Sequence, residues 1–447
     1  MSGILINNAT IVNEGKSFTG SLLIKDEKIA AIGNIPEREL KDNHKVIDAT
    51  GLLLLPGVID SHVHFREPGL TEKGDIFTET RAAAAGGVTS FMDMPNTQPQ
   101  TITLDALEEK YKIAAEKSLI NYSFYIGATN DNLGEILKAD ASKVCGIKLF
   151  MGASTGNMLV DNDKSLRELF KNAHIIISAH CEDETAIKKN AGLFRQKYGE
   201  NVPFEAHQAI RNSETCFKSS SFAVSLAKEY NTKLHILHLS TAEETDLFSN
   251  KTPLKEKQIT AEVCVHHLWF DDSYYKKLGA LMKCNPAIKA KTDKEALRAA
   301  VINNKIDTIA TDHAPHTINE KAGSYFQTPS GCPLIQHSLP LMLEFWHKKI
   351  FTIETIVEKM CHNPAILFNI KERGFIREGY KADLVLVNPN DNQIISKNDI
   401  LHKCGWSPVE GEEVKSKVVT TIVNGTIVYD NGLINNEHRG RRLVFER

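Results

Sequence analysis

No apolar stretch in the sequence approaches the ~18 residues needed to cross a bilayer, so a membrane span is not expected. The opening residues, MSGILINNATIVNEG, lack the basic segment and apolar run of a secretory leader. Cysteine occurs at positions 145, 181, 216, 264, 284, 332, 361 and 404, with neither a CxxC pair nor the spacing of a disulfide framework. Reduced thiols, and with them a cytoplasmic protein, are the expectation. No basic arm or stripe is present and the formal net charge is −3, which argues against nucleic acid or another polyanion as a partner. Short internal repeats and low-complexity tracts are missing as well. What is there is ordinary globular composition, 24% charged and 42% hydrophobic. The 447 residues suffice for a barrel of ~250 residues and an accessory domain.

The two chain ends share one character. Residues 3–50 and 375–447 are short β-prone runs broken by Asn, Gly and charge. Asn424-Gly425, between TIV and TIV, is a two-residue hairpin signal. A small β domain built from residues 1–52 and 375–447 is expected, flanking a central domain of residues 53–374. That centre alternates eight apolar, β-branched runs with mostly helical stretches, such as Asp75–Ala85 before Gly86-Gly87 and Leu104–Ala115. The pattern predicts an α/β fold, a (β/α)8 barrel with a small β-sandwich, although a long open parallel sheet would read alike.

In nearly every run the polar residue comes late: His62 and His64, Asn96, Lys148, His180, His238, Asp312. Active sites of such barrels form at the carboxyl ends of the strands, from several strands at once. His62 and His64 are spaced by two, so on a strand both imidazoles face one side and can share a cation. Each histidine alone reads more often as a hydrogen-bonded core residue than as a ligand, and Asp312 more often as a cap. Together, buried and unpaired, they would each cost several kcal/mol, and a divalent cation removes that cost. Lys148 is the odd member, a cation among cation ligands. It could snorkel to the barrel mouth. Alternatively, burial lowers its pKa and exposes a neutral amine able to capture carbon dioxide as a carbamate, a two-oxygen anionic bridge.

The stretches DSHVHFREPG at 60–69, MPNT at 94–97 and TDHAPHT at 311–317 resemble the dihydroorotases of the amidohydrolase superfamily. GIKLFMGASTGNMLVD at 146–161 resembles their branch with a carboxylated lysine, and IREGYKADLVLV at 376–387 is similar to the superfamily's small domain. The resemblance implies His62 and His64 as ligands of a first metal, with Asp312 completing that site. It implies His180 and His238 on a second, and carboxylated Lys148 as the bridge. Zinc is the default ion, two per subunit, with manganese, cobalt or iron as substitutes. Arg66 and Asn96 would hold a substrate carboxylate, joined by His316, Asn285 and the Gly331 backbone. Ser154 and Thr155 would belong to a lid loop. A homodimer is implied by analogy. The Lys148 bridge departs from the Asp of many bacterial relatives, so metal number does not transfer from them.

Such a ligand set implies a water whose pKa falls from ~15.7 toward ~7, attacking a cyclic amide carbonyl while Asp312 acts as general base and then acid. The substrate implied is dihydroorotate, opened reversibly to N-carbamoyl-aspartate in pyrimidine biosynthesis. Arg66 supplies the two-donor fork that its ring carboxylate needs. Allantoinases typically carry Asn at that position, so allantoinase or dihydropyrimidinase is the enzymatic alternative. An inactive scaffold relative would have lost ligands, and none is missing. His235, three residues from His238, is expected on the opposite strand face. The resemblance assigns neither His266 nor His267 to metal. Cys264, Cys284 and Cys332 read as small buried hydrophobes, and Arg211 as the partner of a nearby carboxylate.

Overall fold

The computed structural model describes residues 3–35, 44–152 and 158–447. Its centre is a barrel of parallel strands: β1 (Val58–Val63), β2 (Val88–Asp93), β3 (Asn121–Phe124, resuming as Ile126–Gly127), β4 (Ile147–Phe150), β5 (Ile177–His180), β6 (Leu234–Ile236), β7 (Ile259–Cys264) and β8 (Thr308–Ala310). Hydrogen bonds run from β1 through β2 to the first half of β3, and from its second half through to β8. The ring closes where the His64 amide donates to the His313 carbonyl at 2.7 Å. These strands are buried along almost their whole length, as parallel strands covered by helices must be.

Helices form where capping and periodicity ask for them. Ile76–Ala85 starts on an Asp75 capping box and ends at Gly86, and Leu104–Lys117 starts on the Thr103 hydroxyl. Among the described residues, no helix is long and apolar enough to cross a membrane.

The chain ends form a nine-stranded sheet. Period-two alternation splits its side chains between two cores. Leu54, Leu384 and Leu386 join Ile6, Ile11, Leu22 and Ile422 in a core of their own. Leu53, Leu55, Val385 and Val387 face the opposite way, into the cluster continuous with the barrel. The hairpin at Asn424-Gly425 is present, with φ of 49° and 74° as a tight primed turn requires. The fold is thus a (β/α)8 barrel with a β-sandwich domain drawn from both termini.

Two details differ from the sequence reading. The first of the eight apolar runs, LLLLPGVIDSHVHF at 52–65, is two strands, not one: Leu53–Pro56 pairs with Leu384–Val387 in the terminal sheet, and the barrel begins at Val58. The last residues leave the small domain. Leu443 and Phe445 pack with Ile59, Met92 and Tyr125 against the barrel, and the Leu443 amide donates to the Tyr122 carbonyl.

Candidate metal centre

At the carboxyl end of the barrel, a cavity of about 90 Å³ is lined by His62, His64, Arg66, Asn96, Lys148, Phe150, His180, His238, Asn285, Asp312, Ala314, Ser330 and Gly331. Every ligand and substrate contact expected above is in that wall except His316, which stands behind Arg66 with Nε2 3.1 Å from the guanidinium. Ser154 and Thr155 lie outside the described residues.

The donor atoms converge. His62 Nε2 and His64 Nε2 lie 3.2 and 3.0 Å from the same oxygen, Asp312 Oδ1. His62 Nδ1 is 2.7 Å from Glu262 Oε1, a carboxylate that can only accept, so the ring proton sits on Nδ1. His64 Nδ1 meets Asn96 Oδ1 at 2.7 Å and takes the same tautomer, while burial pushes its pKa down to about 4 and keeps it neutral. Where both rings are neutral, two imidazole lone pairs face a carboxylate oxygen with no proton between them. That arrangement repels unless a cation occupies the point of convergence, so the residues fit a divalent ion. Burial alone would raise the Asp312 carboxyl, but positive charge at the positions of His62, His64 and His238 outweighs it and holds the group well below the carboxylate range; with the rings neutral, a bound cation would supply that charge.

A second cluster lies beside the first. His180 Nε2 is 2.9 Å from Glu182 Oε2, which leaves Nδ1 as a lone pair 2.8 Å from His238 Nε2. Glu182 is paired in turn with Arg211. Burial pushes Glu182 up, but Arg211 and His180 more than reverse this, to about 2. Lys148 is 1% exposed, with Nζ 4.5 Å from the Phe150 ring centre. Burial brings its ammonium down to about 8, against the pull of Asp312 and Glu262.

Backbone strain concentrates here. Arg66, His238 and Asp312 have φ of 71°, 39° and 47°, left-handed values uncommon outside glycine. Each falls where the chain leaves a strand and must turn a side chain into the pocket. Gly331 has φ of 147°, and a Cβ there would lie 2.4 Å from the Ala314 carbonyl oxygen, so only glycine lets this loop line the wall.

Sequence reasoning missed Glu262 and Glu182, the carboxylates that fix the tautomers of His62 and His180. The available signal was an acid inside an apolar run, in ITAEVC. Arg211 does pair with a carboxylate. His235 corrects the parity argument. Its Nδ1 lies 2.9 Å from Thr260 Oγ1 and its Nε2 3.7 Å from Glu262, toward the same carboxylate as His62, while its ring also meets Phe368 of the helix Asn363–Phe368 edge-on. The strand ends at Ile236, so counting by twos to His238 fails. We expect Glu262→Gln to weaken metal binding by ~10- to 100-fold, as removal of an orienting partner does. Metal titration checks this, and unchanged affinity would mean that His62 is oriented by other contacts.

A barrel with imidazole and carboxylate donors converging at its strand ends carries a candidate metal centre. The chain belongs to the amidohydrolase family, whose model matches residues 53–428. It is 34% identical to a dihydroorotase of Halobacterium salinarum over 421 residues, 92% of this chain and 93% of the relative. It is 29% identical to an allantoinase of Salmonella choleraesuis, covering 96% and 95%. Among solved structures it is similar to the L-hydantoinase (dihydropyrimidinase) of Arthrobacter aurescens, with a TM-score of 0.91, 28% identity and 97% of each chain covered.

Proposed function

We propose that the protein is a dihydroorotase, opening the cyclic amide of dihydroorotate to N-carbamoyl-aspartate and closing it in reverse. The observation that carries this reading is Arg66, a guanidinium 7% exposed in the wall of the cavity that holds the imidazole–carboxylate cluster. A buried cation is expensive unless an anion meets it. Its Nε is spent on the Pro315 carbonyl at 3.0 Å, and one terminal nitrogen faces His316. The side chain is thereby fixed in place. The same wall holds the side-chain oxygen of Asn285, which is buried without a partner among the described residues. Dihydroorotate carries a ring carboxylate for the guanidinium, whereas allantoin and dihydrouracil carry none.

His62, His64 and Asp312 would hold one zinc ion and His180 and His238 a second, with Lys148 as a carbamate between them. Ions so held lower the pKa of water and polarise a carbonyl. The chain's own groups do the rest. Arg66, Asn96 and Asn285 orient the ring. Asp312, ionised and aimed into the pocket, accepts the proton released as water oxygen bonds to the ring carbonyl carbon. It returns that proton to the ring nitrogen as the carbon–nitrogen bond breaks.

Arg66→Met is expected to weaken productive binding of dihydroorotate by ~1.5–3 kcal/mol, the worth of a charge-assisted hydrogen bond. Metal content should be unchanged, since the guanidinium is no ligand. The comparison needs steady-state kinetics and metal analysis on the same preparation. An unaltered KM and kcat would show that the carboxylate is held elsewhere.

A further inference from the structure

Strand β7 ends at Cys264, and the chain turns at once into the short helix Val265–Trp269. There Cys264, His266 and His267 each offer one ligand atom, all within 4.8 Å of one another and all buried. The two rings lie with centroids 4.3 Å apart. Their hydrogen bonding singles them out. His267 Nε2 is 3.1 Å from the Pro286 carbonyl, which can only accept, so the proton sits on Nε2 and Nδ1 keeps a lone pair. That Nδ1 is buried with no partner among the described residues, and the buried ring of His266 has no side-chain partner there either. The Thr311 backbone approaches one ring nitrogen of His266 as an acceptor, which leaves the other nitrogen of that ring for a ligand. Buried polar atoms are normally paired, and two unpaired ring nitrogens beside one thiol call for a physical reason.

We propose that Cys264, His266 and His267 form a buried site for one soft or borderline cation, of the class of zinc, cadmium or copper(I), separate from the centre at Asp312. One thiolate and two imidazoles are the donors such ions select. On binding, the sulfur–hydrogen bond is exchanged for a sulfur–metal bond and the proton leaves to solvent. Cys264 belongs to a second close group with His62 and Glu262, so the ion would sit against the carboxylate that orients His62. The inference uses residues that the hydrolytic reading leaves idle and does not depend on the identity of the substrate.

The test is titration of the full-length protein, already loaded at its hydrolytic centre, with cadmium chloride. Bound cadmium and the thiolate-to-cadmium charge-transfer absorption are followed together, because imidazole and carboxylate ligands give no such band. The expected result is a band that saturates at one cadmium per chain, absent in Cys264→Ser and retained in Cys284→Ser. His267→Gln should need at least tenfold more cadmium for the same signal, and it serves as the reading should Cys264→Ser fail to fold. No band in the wild-type protein, or an unchanged band in Cys264→Ser or His267→Gln, overturns the proposal.

Discussion

Asp312→Asn is expected to fold normally and to lose ~10²–10⁴-fold in turnover, in both ring opening and ring closure. The carboxylate stands just past the end of β8, 3.2 and 3.0 Å from the ring nitrogens of His62 and His64. Its surroundings hold it ionised, with positive charge beside it overcoming the cost of burial. The amide has the same shape, so the cavity and the strained turn at φ 47° are kept. What disappears is the ability to accept a proton and deliver it to the ring nitrogen. One donor to the first ion also weakens, so metal content must be measured beside the rate. Retention of more than about a tenth of wild-type turnover at full metal occupancy would exceed what loss of an acid–base group allows.

Lys148→Ala should be as severe for a different reason. The side chain is buried in the pocket wall, and burial lowers its ammonium pKa to about 8. A neutral amine is thus within reach near neutral pH. Its lone pair can bond to the carbon of carbon dioxide, with loss of one proton, to give an anionic carbamate between the two histidine pairs. Native mass spectrometry of the wild-type protein should then show one added carbon dioxide. The alanine variant should lose at least one bound ion and at least ~10²-fold in turnover, the scale seen when one electrostatic group leaves a catalytic centre. Removing metal with a chelator should silence both proteins, and added zinc should restore only the wild type. A plain ammonium at Lys148 in a fully active protein holding two ions would refute the bridge.

Much of this site is legible in the amino-acid sequence. Residues that terminate apolar runs announce themselves, because a buried β-strand has little use for His, Lys or Asp. His62, His64, Lys148, His180, His238 and Asp312 all carry that signal and all line one cavity. Residues that act through these ligands are harder to see. Glu262 sits inside its strand, and nothing local distinguishes an acid that orients His62 from one that pairs across the barrel. Glu182 and Arg211 are 29 residues apart and meet only in the fold. His235 is misplaced by strict alternation, because the alternation is carried past the end of a three-residue strand. The domain boundary slips because the Pro56-Gly57 break reads as part of one long hydrophobic run. Only its hydrogen bonding assigns Leu53–Pro56 to the terminal sheet.

The most direct test of the account is an absorbance assay of ring opening with zinc-loaded protein, run on dihydroorotate with allantoin and dihydrouracil in parallel. The buried guanidinium of Arg66 predicts turnover of dihydroorotate with a kcat/KM far above either neutral ring, and a loss of that preference in Arg66→Met. Comparable efficiency on allantoin or dihydrouracil, or no turnover of dihydroorotate by metal-replete protein, would contradict it.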